Sequence, residues 1–326
     1  MKINQRLKLQ FKEETFKSTR DGVSEGLMAL GRDNQNVIVL TADLPDSTRT
    51  IDFSKTYPDR FFNVGVAEQN MAGIAAGLAL SGKIPYIASF GVFSPGRNWD
   101  QIRVSIAYSM ANVKILSSHT GLGTGEDGAS HQALEDIALM RVLPNMTVVS
   151  PGDAEEASKA VIAAASVNGP VYIRYGRQAA RSFTTKASPF SIGKAYVYVK
   201  GTDITILTTG VTLQSAWDAA LLLEKKGISA ELIHVPTVKP LDIDTILTSV
   251  RKTGRAVSIE DHQIAGGFGS TILENIITAY PVPFAMVGMH DSFGQSGPYK
   301  ELFDFYHINA AAIVDKALRL MRRHRK

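Results

Sequence analysis

The chain has 326 residues, 44% hydrophobic and 20% charged, with 35 Lys and Arg against 31 Asp and Glu for a formal net charge of +4. That length and balance suit two ordinary domains with a sizeable core. The absence of cysteine excludes disulfides, thiolate nucleophiles and thiolate-held metals. The N-terminus lacks an apolar core of signal-peptide length, and no run reaches about 18 apolar residues. A soluble, cytoplasmic protein with no membrane span is expected. The positive charge is dispersed. The one dense basic run, Arg322-Arg323-His324-Arg325-Lys326, reads as a solvated tail, because no aromatics interleave with it as in nucleic-acid binders. A weak positive field suits small anionic substrates instead.

Along the chain, helices alternate with short apolar strands. Residues 13–31 read as an amphipathic helix and 36–41 as a buried strand. Residues 67–80 form an apolar helix with Glu68 at its mouth. Gly73 and Gly77, four apart, predict very close packing against a neighbour. A strand over 84–90, a helix over 97–110 and a strand over 113–118 follow. After a glycine-rich loop come a helix over 131–143, a strand over 146–150, a helix over 153–167 capped by Asp153, and a strand over 170–175. The polar stretch 179–200 reads as a linker region. Alternation then resumes with strands at 203–209, 230–235, 256–260 and 284–287. Helices are expected at 213–226, at 243–251, after Gly266-Gly267-Phe268-Gly269, and at 308–322. Near-continuous apolar strands between helices predict mainly parallel sheets covered on both faces. The expected fold is thus α/β in two domains: residues 1–185, a linker at 186–200, and residues 201–326.

Three segments carry chemistry. Glu68 is a carboxylate at the start of a buried helix, which must find a specific partner or hold a proton; a simple helix-dipole acid is the bland alternative. Phe90-Gly91-Val92-Phe93 ends a strand and can either pack in the core or wall a flat heteroaromatic ring. The loop His119-Thr120-Gly121-Leu122-Gly123-Thr124-Gly125-Glu126-Asp127-Gly128-Ala129-Ser130-His131-Gln132 lies at a strand carboxyl end, where open α/β sheets bind ligands. It lacks the dinucleotide fingerprint. The spacing of His119 and His131 matches no common metal pattern.

Together these segments resemble the transketolases, specifically the pyrimidine-binding domain followed by the C-terminal domain. The resemblance rests on Thr41-Ala42-Asp43-Leu44, Gly65-Val66-Ala67-Glu68-Gln69-Asn70, Ser89-Phe90-Gly91-Val92-Phe93, Gly125-Glu126-Asp127-Gly128-Ala129-Ser130-His131-Gln132, Leu143-Pro144-Asn145 and Pro151-Gly152-Asp153. In the second half it rests on Lys239-Pro240-Leu241-Asp242, Glu260-Asp261-His262 and Gly266-Gly267-Phe268-Gly269.

The resemblance implies a thiamine diphosphate enzyme of carbohydrate metabolism, such as the pentose phosphate pathway. Glu68 would hydrogen-bond the cofactor's aminopyrimidine, and burial would favour its neutral form. Phe90 and Phe93 would wall the ring, with Asp43 near the cofactor and subunit contact. The third aromatic of the family pocket falls near Gly96 here, where Trp99 could substitute. Asp127 would hold a substrate hydroxyl, and His131 would sit near the reacting atoms. Arg20, Ser47, His119 and Arg177 would hold the sugar phosphate, with Arg174 as the alternative to Arg177. The family's Gly-Asp-Gly segment for the diphosphate and Mg²⁺ does not occur in the chain, so no metal is expected here. The expectation is a split transketolase: this chain is the C-terminal-half subunit, and an N-terminal-half subunit holds the diphosphate and Mg²⁺ or Ca²⁺. Self-association into a dimer core would make a heterotetramer acting on phosphosugars. The competing readings are a deoxyxylulose-phosphate-synthase-like enzyme, a 2-oxo acid dehydrogenase β-like subunit, and a non-catalytic partner that keeps the fold.

Overall fold

The structure, a computed structural model, describes residues 1–10 and 14–322. Two sheets dominate. The first has seven strands in the order Thr237–Lys239, Thr147–Val149, Val171–Arg174, Lys114–Ser118, Ile84–Phe90, Val37–Thr41 and Phe61–Asn63. All neighbours pair in parallel except the edge strand Thr237–Lys239. The second has six strands in the order Lys2–Ile3, Tyr196–Lys200, Ala230–His234, Ile204–Thr208, Ala256–Gln263 and Phe284–Met289. Its first two pairings are antiparallel and the rest parallel. The expected α/β architecture, two mainly parallel sheets flanked by helices, is present.

The central strands are apolar on both faces because both faces are covered. Ile38, Leu40, Ile87 and Ile115 pack under the helix Glu68–Leu80, whereas Val37, Val39, Tyr86, Ala88 and Leu116 pack under Thr19–Asp33 and Ala154–Ala164. This is the period-two alternation of a strand between two helical layers. Helices Thr19–Asp33 and Ala154–Ala164 approach very closely. A Cβ on Gly22 would lie 1.8 Å from the Ala154 carbonyl oxygen, and one on Gly26 would lie 2.8 Å from Val161 Cβ.

Several expected elements differ. The first helix runs Thr19–Asp33 and is N-capped by Ser18, while Phe16–Ser18 is instead a strand. That strand pairs with Ala179–Arg181, inside the stretch read as linker. Tyr196–Lys200 also belongs to a sheet. These pairings join residues far apart in the chain, which no local pattern signals. The helix expected over 131–143 is only Asp136–Arg141; residues before it form a loop in which the Gln132 amide donates to the Gly125 and Gln295 carbonyls. Residues 97–110 form a short turn, Trp99–Gln101, that runs into a π-helix, Ile102–Tyr108. Gly73 and Gly77 have no atom within 4 Å of an added Cβ, so the tight neighbour expected of that helix does not lie among the described residues. Of the basic run 322–326, residues 323–326 lie outside the described residues.

A buried ionic cluster joins the two sheets. Arg174 Nε donates to Asp136 Oδ2 at 2.9 Å, and its Nη2 reaches Asp136 Oδ1 at 3.3 Å, the Asp261 carbonyl at 3.3 Å and Asp261 Oδ1 at 3.4 Å. Tyr172 donates to Asp136 Oδ2 at 2.7 Å. Burial alone would raise Asp136, but Arg174 and His262 overcome it and hold that carboxyl below its ordinary range. Among the described residues no helix is long and apolar enough to cross a membrane.

Candidate active site

The candidate residues gather at the carboxyl ends of the central parallel strands. Asp43 and Ser47 follow Val37–Thr41, Glu68 follows Phe61–Asn63, Phe93 follows Ile84–Phe90, His119 and Asp127 follow Lys114–Ser118, and Arg177 follows Val171–Arg174. This is where a parallel sheet leaves a crevice. Arg20 reaches the same edge from the first turn of Thr19–Asp33. That turn is tied down by Thr19, whose Oγ1 donates to the Gly176 carbonyl at 3.1 Å and accepts from the Gly176 N–H at 2.9 Å.

Phe90 and Phe93 stack with ring centroids 5.9 Å apart and 12° between planes. His119 stacks on Phe90 at 3.7 Å. His131 meets Phe90 and Phe93 edge-on at 6.1 and 5.7 Å. The two strand-end aromatics therefore form a shared wall with both histidines. Burial, with Arg20, Arg177 and His131 nearby, pushes His119 down to about 3, so its ring is neutral at physiological pH. Its Nδ1 pairs with Ser118 Oγ at 2.8 Å, and its Nε2 lies 3.9 Å from Asp127 Oδ2.

The positive side of the site is crowded. Arg20 donates to the Ser47 carbonyl at 3.2 Å and to the Arg177 carbonyl at 3.4 Å, while its buried Nε has no partner. Burial, then the guanidinium of Arg49, lowers Arg20 from its ordinary value. Arg177 Nη1 lies 3.2 Å from Asp127 Oδ1 and 3.4 Å from Glu126 Oε2, and it donates to the Thr124 carbonyl at 3.1 Å. Arg20 thus keeps one unpartnered guanidinium N–H near the charges of Arg49 and Arg177. Arg174 is not part of it, since both ends of its guanidinium are committed to Asp136 and Asp261. Asp43 stands apart. It is exposed, has φ of 60°, and exchanges hydrogen bonds with Asn63 at 2.9 and 3.0 Å.

Glu68 is 1% exposed. Of the two outcomes expected for a buried acid, a specific partner or a held proton, the first is present: Arg97 Nη1 donates to its Oε2 at 2.8 Å. Asn98 Nδ2 holds its backbone carbonyl at 3.1 Å. Trp99 does not line the aromatic wall as expected, because its indole N–H donates to the Leu139 carbonyl at 3.0 Å. Arg49 and Arg97 escaped the sequence reading. Each follows a short turn residue in a strand-end loop, Arg49 two after Ser47 and Arg97 one after Gly96, and that position is the only signal that could have found them.

The loop is held from below by close contacts. A Cβ on Gly121 would lie 1.9 Å from Asp261 Oδ1, and one on Gly123 would lie 2.2 Å from the Gln178 amide. Gly121 has φ of 73°. Among the described residues, no group of three or more His, Asp or Glu is arranged to hold a metal. The parallel aromatic wall with a buried carboxylate at its edge fits an aminopyrimidine ring.

Comparison with known proteins identifies both halves of the chain. Residues 17–182 match the transketolase pyrimidine-binding domain, and residues 193–313 match the transketolase C-terminal domain. A 6-deoxy-6-sulfo-D-fructose transketolase subunit from a Clostridium species is 37% identical, covering 97% of each chain. An apulose-4-phosphate transketolase subunit from Phocaeicola vulgatus is 35% identical, covering 93% of this chain and 97% of its own. A solved split-gene transketolase, an inactive β4 tetramer, superposes with a TM-score of 0.88 at 42% identity, covering 94% of this chain and 98% of that one. The chain belongs to the transketolase family and carries its pyrimidine-binding and C-terminal domains.

Proposed function

We propose that this chain is the C-terminal-half subunit of a split transketolase that moves a two-carbon ketol unit from a ketose phosphate to an aldose phosphate. The carrying observation is convergence at one sheet edge. A buried carboxylate, Glu68, is held by Arg97, which lies over the Phe93 ring of the stacked Phe90–Phe93 wall, and Arg20 and Arg177 lie near His119, which stacks on Phe90. The names of relatives that this chain spans almost end to end support the split arrangement.

Thiamine diphosphate, when bound, supplies an electron sink for the carbanion at the transferred carbon. In this reading the chain's own residues do the rest. Phe90 and Phe93 hold the aminopyrimidine by stacking, and Glu68 hydrogen-bonds its ring nitrogen. Asp127 orients the hydroxyl beside the reacting carbon. His131 moves a proton near the reacting atoms. Neutral His119, with Arg20, Ser47 and Arg177, binds the sugar phosphate. Asp43 lies toward the cofactor and a subunit contact. The diphosphate and its Mg²⁺ or Ca²⁺ fall to an N-terminal-half partner, with self-association giving a heterotetramer.

The test is co-purification with a candidate partner, followed by assay with thiamine diphosphate, Mg²⁺, xylulose 5-phosphate and ribose 5-phosphate. 6-Deoxy-6-sulfo-D-fructose serves as a second donor, since the guanidinium cluster suits a sulfonate as well as a phosphate. Glu68→Gln should lower kcat by about 10²-fold or more. Full turnover in that variant removes the role of Glu68, and turnover by this chain alone removes the split arrangement.

A further inference from the structure

The aromatic wall is open at one edge. After Phe90 and Phe93, the next position is Gly96, where a Cβ would lie 2.1 Å from the Val92 carbonyl oxygen. No side chain fits there without moving the backbone. Trp99 is engaged with Leu139 and the core. Arg97, the next residue after Gly96, lies over the Phe93 ring. Its guanidinium carbon lies 4.5 Å from the Phe93 ring centroid, and its Nη1 holds Glu68 Oε2 at 2.8 Å.

Two features separate this pair from an ordinary surface ion pair, which contributes little. The carboxylate is 1% exposed while the arginine side chain is 45% exposed, so the charge is compensated from the solvent side without desolvating the guanidinium. Arg97 engages one carboxylate oxygen, Oε2. A planar guanidinium can lie over an aromatic ring and donate in its own plane at the same time, whereas an ammonium is a point charge that cannot.

We propose that Arg97 is a positioning residue of the ring pocket: it replaces the missing third wall and pins Glu68 by Oε2, leaving Oε1 to face the aminopyrimidine. This rests on the reading of Glu68 given above. Without Arg97 the buried carboxylate has no compensating cation and its two oxygens become equivalent, so the ring meets a mixture of orientations.

The experiment titrates the complex of this chain and its partner subunit with thiamine diphosphate and Mg²⁺, following the circular dichroism of the bound ring. The variants are Arg97→Gln, Arg97→Lys, Glu68→Gln and the double change Arg97→Gln/Glu68→Gln. Arg97→Gln should weaken binding about tenfold, or about 1.4 kcal/mol. In the Glu68→Gln background the same change should cost less than about threefold, because the pinned charge is gone. A merely structural arginine would cost the same in both backgrounds. That result, or wild-type affinity in Arg97→Gln, overturns the proposal. Wild-type affinity in Glu68→Gln overturns the reading of Glu68 instead, so the two failures are distinguishable. If Arg97→Gln does not fold, Arg97→Lys decides: weakened binding supports the planar fork, and unchanged binding overturns it.

Discussion

Arg174→Met removes the cation from the cluster between the two sheets. The arginine is 4% exposed, and its two acidic partners are Asp136 at 1% and Asp261 at 2%. Removing one partner of such a group leaves charge uncompensated in a dry interior and costs about 3–5 kcal/mol. That is a large share of the roughly 5–15 kcal/mol that separates folded from unfolded chains. The loss should depend on pH. Burial already pushes Asp261 up to about 7 from an ordinary 3.8, with Arg174 opposing that rise. A carboxyl raised in the folded state contributes stability below its unfolded value, and loses it as pH climbs through the folded value. Without Arg174 the folded value rises further, so the variant's deficit should be largest near pH 7.5 and should shrink toward about pH 5. Urea unfolding of the full chain at both pH values measures it. A loss under about 1 kcal/mol, or an equal loss at both pH values, refutes this account. Converting all three residues to apolar ones, Arg174→Met with Asp136→Leu and Asp261→Leu, should recover most of the stability, because the desolvation cost disappears along with the attraction.

Gly121→Ala should destabilise by more than about 2 kcal/mol: it places a side chain at φ of 73° and 1.9 Å from Asp261 Oδ1. A melting temperature matching wild type would show that the loop yields freely. His119→Gln should flatten the acid limb of the stability curve. His119 titrates near 6.5 when unfolded and about 3 when folded, so the folded state refuses a proton that the unfolded chain accepts. Its contribution is present above pH 6.5 and is lost as pH falls toward 3. Identical slopes for wild type and variant between about pH 6.5 and 4 would rule this out. Ile74→Lys with Leu80→Lys alters residues 38% and 73% exposed beside the bare Gly73 and Gly77. The pair should lower the mass found by light scattering while leaving the circular dichroism of the fold intact. An unchanged mass would place self-association elsewhere on the surface.

The strands were legible because burial on both faces makes them continuous apolar runs, and helices were legible where a cap and a periodic face coincide, as at Asp153. What stayed hidden is non-local. Nothing in Phe16–Ser18 announces Ala179–Arg181 as its partner, or in Thr237–Lys239 that it edges the other half's sheet. The choice between Arg174 and Arg177 was also beyond sequence. Both lie at one strand end, but Arg174 closes the strand facing Asp136 while Arg177 stands three residues out on the loop.

Glycine spacing shows the limit most clearly. Gly22 and Gly26 stand four apart, as do Gly73 and Gly77. The first pair lets helix Thr19–Asp33 press onto Ala154–Ala164, with an added Cβ only 1.8–2.8 Å from its neighbour. The second pair, the one the sequence reading singled out for close packing, meets nothing in the described chain. The spacing therefore states that a face permits close approach, and says nothing of who approaches. In a helix that also carries Ile74 and Leu80 into solvent, the unfilled small-residue face is the surface that the Ile74→Lys with Leu80→Lys change tests for contact with another chain.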